Sequence, residues 1–186
     1  MRGVVALSCL AASAAAAWPS SAMAAPAATL CRTNEAIIFS CPTGAHIASI
    51  CASKDVLKSA GALQYRFGRP GRLDLAYPDG SAKPTDVFTS GMMMFSGGGG
   101  AWLRFSKGPF RYTIFTAIGK WGPSESAADA AGVAVEKDGA AFANFPCRAG
   151  AVSEIGPDLF ERLGLKTADP ANDFDIPQAF FPNASK

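Results

Sequence analysis

The chain has 186 residues, 49% of them hydrophobic and 17% charged, with a formal net charge of +2. That length leaves room for one domain with a real core and a tail, but not for two comfortable domains. Beyond residue 24 there are 16 basic and 15 acidic residues, a balance that argues against a nucleic-acid or general polyanion binder.

The first 24 residues read as a secretory signal: Arg2 supplies the positive start, "VVALSCLAASAAAAW" the apolar middle, and Ala22-Met23-Ala24 a small-x-small cleavage site before Ala25. Cys9 offers a lipid-attachment alternative, but Ala6-Leu7-Ser8 is a poor lipobox and the apolar run before it is short. No later apolar run reaches transmembrane length, so the expected product is periplasmic or secreted, without a membrane span. Three segments follow: a signal peptide at 1–24, a disulfide-linked β domain at 25–150, and a helix with an acidic, Phe- and Pro-containing tail at 151–186.

"EAIIFSC" and "HIASICAS" flank "PTGA" and predict a hairpin over 35–53. "LQYRF" (63–67) and "RLDLAY" (72–77) alternate apolar and polar residues with period two, predicting half-buried strands joined by the loop "GRPGR". Placing Arg66 opposite Asp74 sets Phe67 against Leu73, Tyr65 against Leu75 and Leu63 against Tyr77, with charges on one face and apolar pairs on the other. "AWLRF" and "FRYTIF" around "SKGP" predict a third hairpin with Phe105 opposite Phe110. Trp102, Arg104, Arg111 and Thr113 then share a face, and the two arginines stand opposed. "GVAVEKDGAAFANFPC" (132–147) closes the body as a hairpin turning at "KDG". "PSESAADAAG" reads as a short helix capped by Ser124 or Ser126, or as a loop. "GPDLFERLGL" predicts a helix with Pro157 in its first turn and Leu159, Phe160 and Leu163 on its apolar side. The rest is an extended tail in which Phe174, Ile176, Phe180 and Phe181 are apolar enough to pack on the body or on a partner. The expected fold is all-β, a single antiparallel β-barrel or sandwich of about eight short strands, because strands of this number need closure or a second sheet to hide their edges.

Cys31, Cys41, Cys51 and Cys147 remain after the signal, an even number that implies two disulfides in an exported chain. Within the first hairpin, positions 41 and 51 lie about 16 Å apart along the strands, beyond the ~7 Å reach of a bridge. Pairing 31 with 51 and 41 with 147 is favoured, and 31 with 41 plus 51 with 147 stays open. Cys-x-x-Cys spacings are lacking and His46 is the only histidine, so no metal site is expected.

The run "FSGGGGAWLRF" (95–105) is not a phosphate loop, because Ala101, Trp102 and Leu103 follow the glycines where Lys and Ser or Thr are needed. Nor is it a dinucleotide fingerprint, because a strand follows instead of a helix, and no cofactor is expected. It reads as a flexible lead-in to a strand whose outward face presents Trp102 and Arg104. With Arg66, Arg69, Arg72, Lys107 and Arg111 these residues could form a basic, aromatic patch suited to an envelope protein or an anionic glycan, unless the acidic tail covers it. A hydrolase is the alternative, but His46 has no Gly-x-Ser-x-Gly partner motif, and spacing selects no carboxylate pair from Glu35, Asp74, Asp79, Asp86, Glu125 and Asp129. A structural envelope protein docking through its tail is a further alternative.

The pattern Cys31-x9-Cys41-x9-Cys51, "YRFG" (65–68), "FSGGGG" and the closing Cys147 together resemble a group of small exported bacterial proteins with no assigned function. The chain is also similar, over fewer features, to the periplasmic inhibitors of C-type lysozyme, antiparallel β-barrels whose first strand is disulfide-linked to the last. That second resemblance implies an inhibitory loop at Ser96 and Gly97 with Lys107 as its basic neighbour. Where that family has a tyrosine after the Ser-Gly pair, this chain has glycines and then Trp102. The combined expectation is an exported, non-catalytic binding protein, with Arg66, Ser96, Gly97, Trp102, Arg104, Lys107 and Arg111 as candidate binding residues.

Overall fold

A computed structural model describes residues 28–54, 56, 61–95, 97–121, 127–148, 150–167 and 174–181. The expected signal segment at 1–24, Ser96, Ser124 and Ser126 lie outside the described residues. Among the described residues ten strands form two antiparallel sheets, so the sandwich expectation holds, with two strands more than the eight or so expected. The first sheet has the order β10-β1-β2-β3-β4, from Val152–Ser153, Glu35–Pro42, Ile47–Ser53, Leu63–Arg69 and Arg72–Tyr77. The second runs β5-β6-β7-β8-β9, from Thr89–Phe95, Gly98–Lys107, Phe110–Lys120, Ala127–Lys137 and Ala140–Pro146. The second sheet and β1 to β4 of the first are meanders of neighbouring strands, the topology that short turns permit, while β10 returns from the far end of the chain to pair with β1.

The inner faces bury one core, in which Phe39, Ile50, Leu63 and Tyr65 meet Leu103, Phe105, Ile114 and Val133. Tyr65, Tyr112 and Tyr77 pack around Phe105, with ring centroids at 5.1, 4.8 and 4.8 Å. A bulge between Ile37 and Phe39 lets Ile38 and Phe39 both enter the core from successive positions. Helix α1 (Pro84–Val87) lies in the crossing between the sheets, followed by the buried Phe88. Helix α2 (Pro157–Leu163) covers one end with Leu159, Phe160 and Leu163. Gly164 ends it at φ 64°, and Leu165 N–H donates to the Phe160 carbonyl.

Cys31 is bonded to Cys51, and Cys41 to Cys147. The second bridge joins β1 of the first sheet to the residue after β9 in the second, closing the sandwich across its two layers.

Two hairpin registers differ from expectation by two residues. Tyr65 pairs with Tyr77, Arg66 with Ala76 and Phe67 with Leu75. Phe105 pairs with Tyr112, and Arg104 with Thr113 instead of Arg111. A slip of two preserves which face every side chain occupies, so alternation alone could not exclude it. The turns decide: the strands continue through the expected loops to Arg69 and Arg72, with a bulge at Gly68, and to Lys107 and Phe110. A Cβ on Gly68 would lie 2.4 Å from the Arg72 carbonyl oxygen, so the bulge depends on glycine. At the last hairpin, Asp138 (φ 50°) and Gly139 (φ 81°) form the expected turn.

The helix expected at "PSESAADAAG" is absent from its described part. Residues 127–132 are strand, paired with β7 as far as Lys120. Pairing along the whole of β7 outweighs the weak β preference of alanine.

Candidate functional site

Three successive rows across the second sheet define the site. Ser90, Leu103, Ile114 and Val133 are register partners on the inner face, and all are fully buried. The next row is Met92, Ala101, Thr116 and Ala131, and the one beyond it is Met94, Gly99, Ile118 and Asp129. Met92 is 44% exposed, Ile118 53% and Met94 91%. The second sheet therefore extends past the first, and its inner face emerges from the core into an open groove of about 730 Å³.

The floor of this groove is low because Gly99 and Ala101 stand between the larger side chains of β5 and β7. Its opposite wall is the segment from Cys147 to Pro157, carrying Ala151, Ser153 and Ile155. Thr116 and Ser153 tie wall to floor, with their hydroxyls 3.3 Å apart. Asp129 contributes a carboxylate and Arg148 a guanidinium, while the remaining described lining is aliphatic or small.

The glycine run is thus ordered strand. Gly98, Gly99 and Gly100 pair with Phe95, Met94 and Met93 on one side, and Gly99 and Gly100 with Ile118 and Ala117 on the other. A Cβ on Gly98 would sit 1.8 Å from the Ile118 carbonyl oxygen, and one on Gly100 2.5 Å from that of Thr116. Close approach of β6 to β7 requires these glycines, not chain mobility. Gly97 makes the turn before them at φ 78°.

Trp102 and Arg104 do not face solvent. They lie on the outer face of the second sheet, 0% and 7% exposed, beneath the C-terminal segment. There Phe174, Ile176 and Phe180 pack with Trp102, Phe115 and Met93 in a second apolar cluster. The Phe115 ring is 5.1 Å from that of Phe174 and 4.8 Å from that of Phe180. The Arg104 guanidinium stacks 4.3 Å above the Trp102 ring and donates from Nε to the Thr113 hydroxyl. The tail covers this face because the apolar outward residues of β6 and β7 need a partner.

No protein-family model, no curated protein and no solved structure matches this chain. The residues themselves must therefore carry the functional argument.

The expected basic patch does not assemble as one surface: Arg104 and Arg111 line a cavity with Glu136 and Asp175, which Arg66 and Lys107 do not reach. Arg66 alternates with the inward Tyr65 and Phe67, so it lies on the outer face of the first sheet, on the far side of the sandwich from Arg104. It is 4% exposed and forms a bidentate pair with Glu35 at 2.6 and 2.7 Å. Its remaining donors reach Gln64 and the Leu30 carbonyl. The bond to Leu30 fastens the segment before β1 over that face, where the Ser40 and Ser49 hydroxyls lie 2.7 Å apart. The hydrogen bonds from Arg66 hold the Glu35 carboxyl below its ordinary value against the opposing effect of burial. Arg111 forms a second bidentate pair with Glu136, at 2.7 and 2.6 Å, which lowers the Glu136 carboxyl and raises the Arg111 guanidinium. Lys107 reaches Asp79 at 3.0 Å.

His46 Nε2 lies 3.2 Å from Asp74, and its ring stacks on Phe67 with centroids 5.0 Å apart. Among the described residues no hydroxyl hydrogen-bonds to this imidazole, so the contact is a packed polar one without the nucleophile a hydrolase triad needs. The Cys31 and Cys51 sulfurs and a Glu35 oxygen lie within 4.8 Å of one another. The sulfurs are joined and the carboxylate holds Arg66, so that cluster offers no thiolate to a metal.

The groove residues Met92, Thr116, Ile118 and Arg148 were not singled out in the sequence, and Asp129 was weighed only as one of six carboxylates for a hydrolase. Met92 and Met94 alternate in "GMMMF", and Thr116 and Ile118 in "TIFTAIG", but these patterns equally fit a closed core. Only the shorter reach of the first sheet leaves them open.

Proposed function

We propose that this is an exported, non-catalytic binding protein, and that the groove at the glycine-lined end of its second sheet receives an extended apolar segment of a protein partner. The observation that carries the reading is the row Met94–Gly99–Ile118–Asp129, an inner-face row of a β-sandwich left open to solvent with two exposed apolar side chains on either side of a glycine. Its volume of about 730 Å³ is that of a ligand site. The aliphatic and small lining suits side chains of an extended peptide better than sugar rings, which stack on aromatic surfaces. Asp129 and Arg148 supply one charge of each sign for orientation, and two disulfides suit an oxidising compartment.

The test is titration of the mature protein with the apolar fluorophore 8-anilinonaphthalene-1-sulfonate, together with a photo-crosslinking residue placed at position 118 in cells. Ile118→Glu should weaken fluorophore binding about tenfold, equivalent to ~1.4 kcal/mol. Leu73→Glu, at an exposed apolar position on β4 outside the groove, should leave it unchanged. Equal effects of the two substitutions, or a crosslinked protein that the fluorophore does not displace, would refute the groove as the site.

A further inference from the structure

Every methionine beyond the signal segment lies in one run, Met92-Met93-Met94, on β5. β5 is the end strand of the second sheet's order, and its alternation separates the three thioethers sharply. Met94 is 91% exposed and Met92 44%; Met92 lines the groove and Met94 lies on the same sheet face one row further out, at its mouth, whereas Met93 is 7% exposed within the cluster beneath the C-terminal segment. Met93 packs its methyl group toward Gly100, where a Cβ would lie 2.8 Å from Met93 Cε.

We propose that Met92 and Met94 are a reversible oxidation site that regulates the groove. This rests on the groove being the binding site. The oxidant class is a peroxide or a hypohalous acid. With hydrogen peroxide, a thioether sulfur lone pair attacks one peroxide oxygen, an S–O bond forms and the O–O bond breaks. The departing hydroxide takes up the proton that the sulfur-bound oxygen releases and leaves as water, so the sulfur loses two electrons and the peroxide gains them. The product is a methionine sulfoxide, which a thiol-dependent reductase returns to the thioether. A sulfoxide at Met92 puts a strong hydrogen-bond acceptor into the row Met92–Ala101–Thr116–Ala131, and one at Met94 does the same in the outermost row. An apolar segment entering the groove must then desolvate that oxygen without a partner for it, which weakens binding. The same thioether-to-sulfoxide change at Met93 would disturb the tail instead, but burial withholds Met93 from the oxidant.

The experiment treats the disulfide-intact mature protein with graded hydrogen peroxide. It follows oxidation at each methionine by peptide mass spectrometry and, in parallel, binding of 8-anilinonaphthalene-1-sulfonate. Met94 should oxidise first, Met92 next, and Met93 at least about tenfold more slowly than Met94, in keeping with access controlling this chemistry. Fluorophore affinity should fall as Met92 and Met94 oxidise and return after treatment with methionine sulfoxide reductases. In the double variant Met92→Leu with Met94→Leu, affinity, whatever its starting value, should no longer respond to peroxide. Oxidation of Met93 as fast as Met94 overturns the proposal, as does a peroxide response that persists in the double variant. The expected oxidation order with unchanged affinity overturns it while leaving the groove reading intact. A reduced protein that fails to bind the fluorophore removes the groove reading and the regulation together.

Discussion

The Glu35–Arg66 pair gives the most direct test of how the first sheet is sealed. Glu35→Gln keeps the shape of the side chain but removes its charge, leaving Arg66, 4% exposed, with only the Gln64 and Leu30 oxygens and a neutral amide. Breaking one side of a buried pair costs about 3–5 kcal/mol. The Glu35 side chain keeps 16% of its exposure, so water offsets part of the loss and the expectation falls near ~3 kcal/mol. That is a large share of the roughly 5–15 kcal/mol by which folded domains exceed their unfolded state. The assay is urea unfolding of the oxidised mature protein at neutral pH. The loss is expected to come from an uncompensated buried charge, so replacing both partners, Glu35→Leu with Arg66→Met, should recover most of it. The carboxyl is held below its ordinary value of 4.5, so its stabilisation is present above that value and disappears as pH falls through its lowered folded value. The gap between wild type and Glu35→Gln should therefore narrow with acidification. A loss under about 1 kcal/mol, or a double variant as unstable as the single one, would refute the reasoning.

Three further outcomes follow from packing. Gly98→Ala should destabilise by more than about 2 kcal/mol, because β6 and β7 must separate; Gly80→Ala, with nothing within 4 Å of the new methyl, should stay within ~0.5 kcal/mol. Removing the Cys41–Cys147 bridge, with a sequence separation of 106, should lower stability by about 5 kcal/mol, against about 3 for Cys31–Cys51 with a separation of 20. Equal losses in urea unfolding would show that loop entropy does not govern them. Deleting residues 174–186 should red-shift tryptophan emission by uncovering Trp102 and cost at least ~2 kcal/mol from the burial of Phe180 alone. An unchanged spectrum would place the segment elsewhere.

Much of the local architecture was legible in the residues. Runs flanking Pro- and Gly-containing turns identified β1, β2 and β6 to β9, period-two alternation β3 and β4, Asp138-Gly139 marked its turn, and Pro157 with the Leu-Phe-Leu face identified α2. Strand rise excluded a bridge between 41 and 51, and the shorter reach from Cys31 to Cys51 favoured the pairing the structure shows. Two hairpin registers were missed because a two-residue slip leaves every face unchanged, and nothing in the alternation of Tyr65, Phe67, Leu73 and Leu75 distinguishes the alternatives. The first part of β8, 127–131, was missed because alanine-rich segments take the structure their neighbour imposes.

The candidate site was harder to read. Trp102 and Arg104 looked like an outward binding face, but outward from one sheet is not outward from the molecule, and the C-terminal phenylalanines form a third layer there. The basic residues looked like a single patch, yet Arg66 and Arg104 belong to different sheets and opposite sides.

What the sequence by itself determined is which side chains share a face and where chain reversals fall, because backbone periodicity and glycine or proline chemistry act over a few residues. What only the tertiary structure decided is which face each sheet covers, and how far. The glycine run illustrates the division: its residues announce a close backbone approach, but only β7 alongside and a first sheet that ends at Ser153 turn that approach into the floor of a groove.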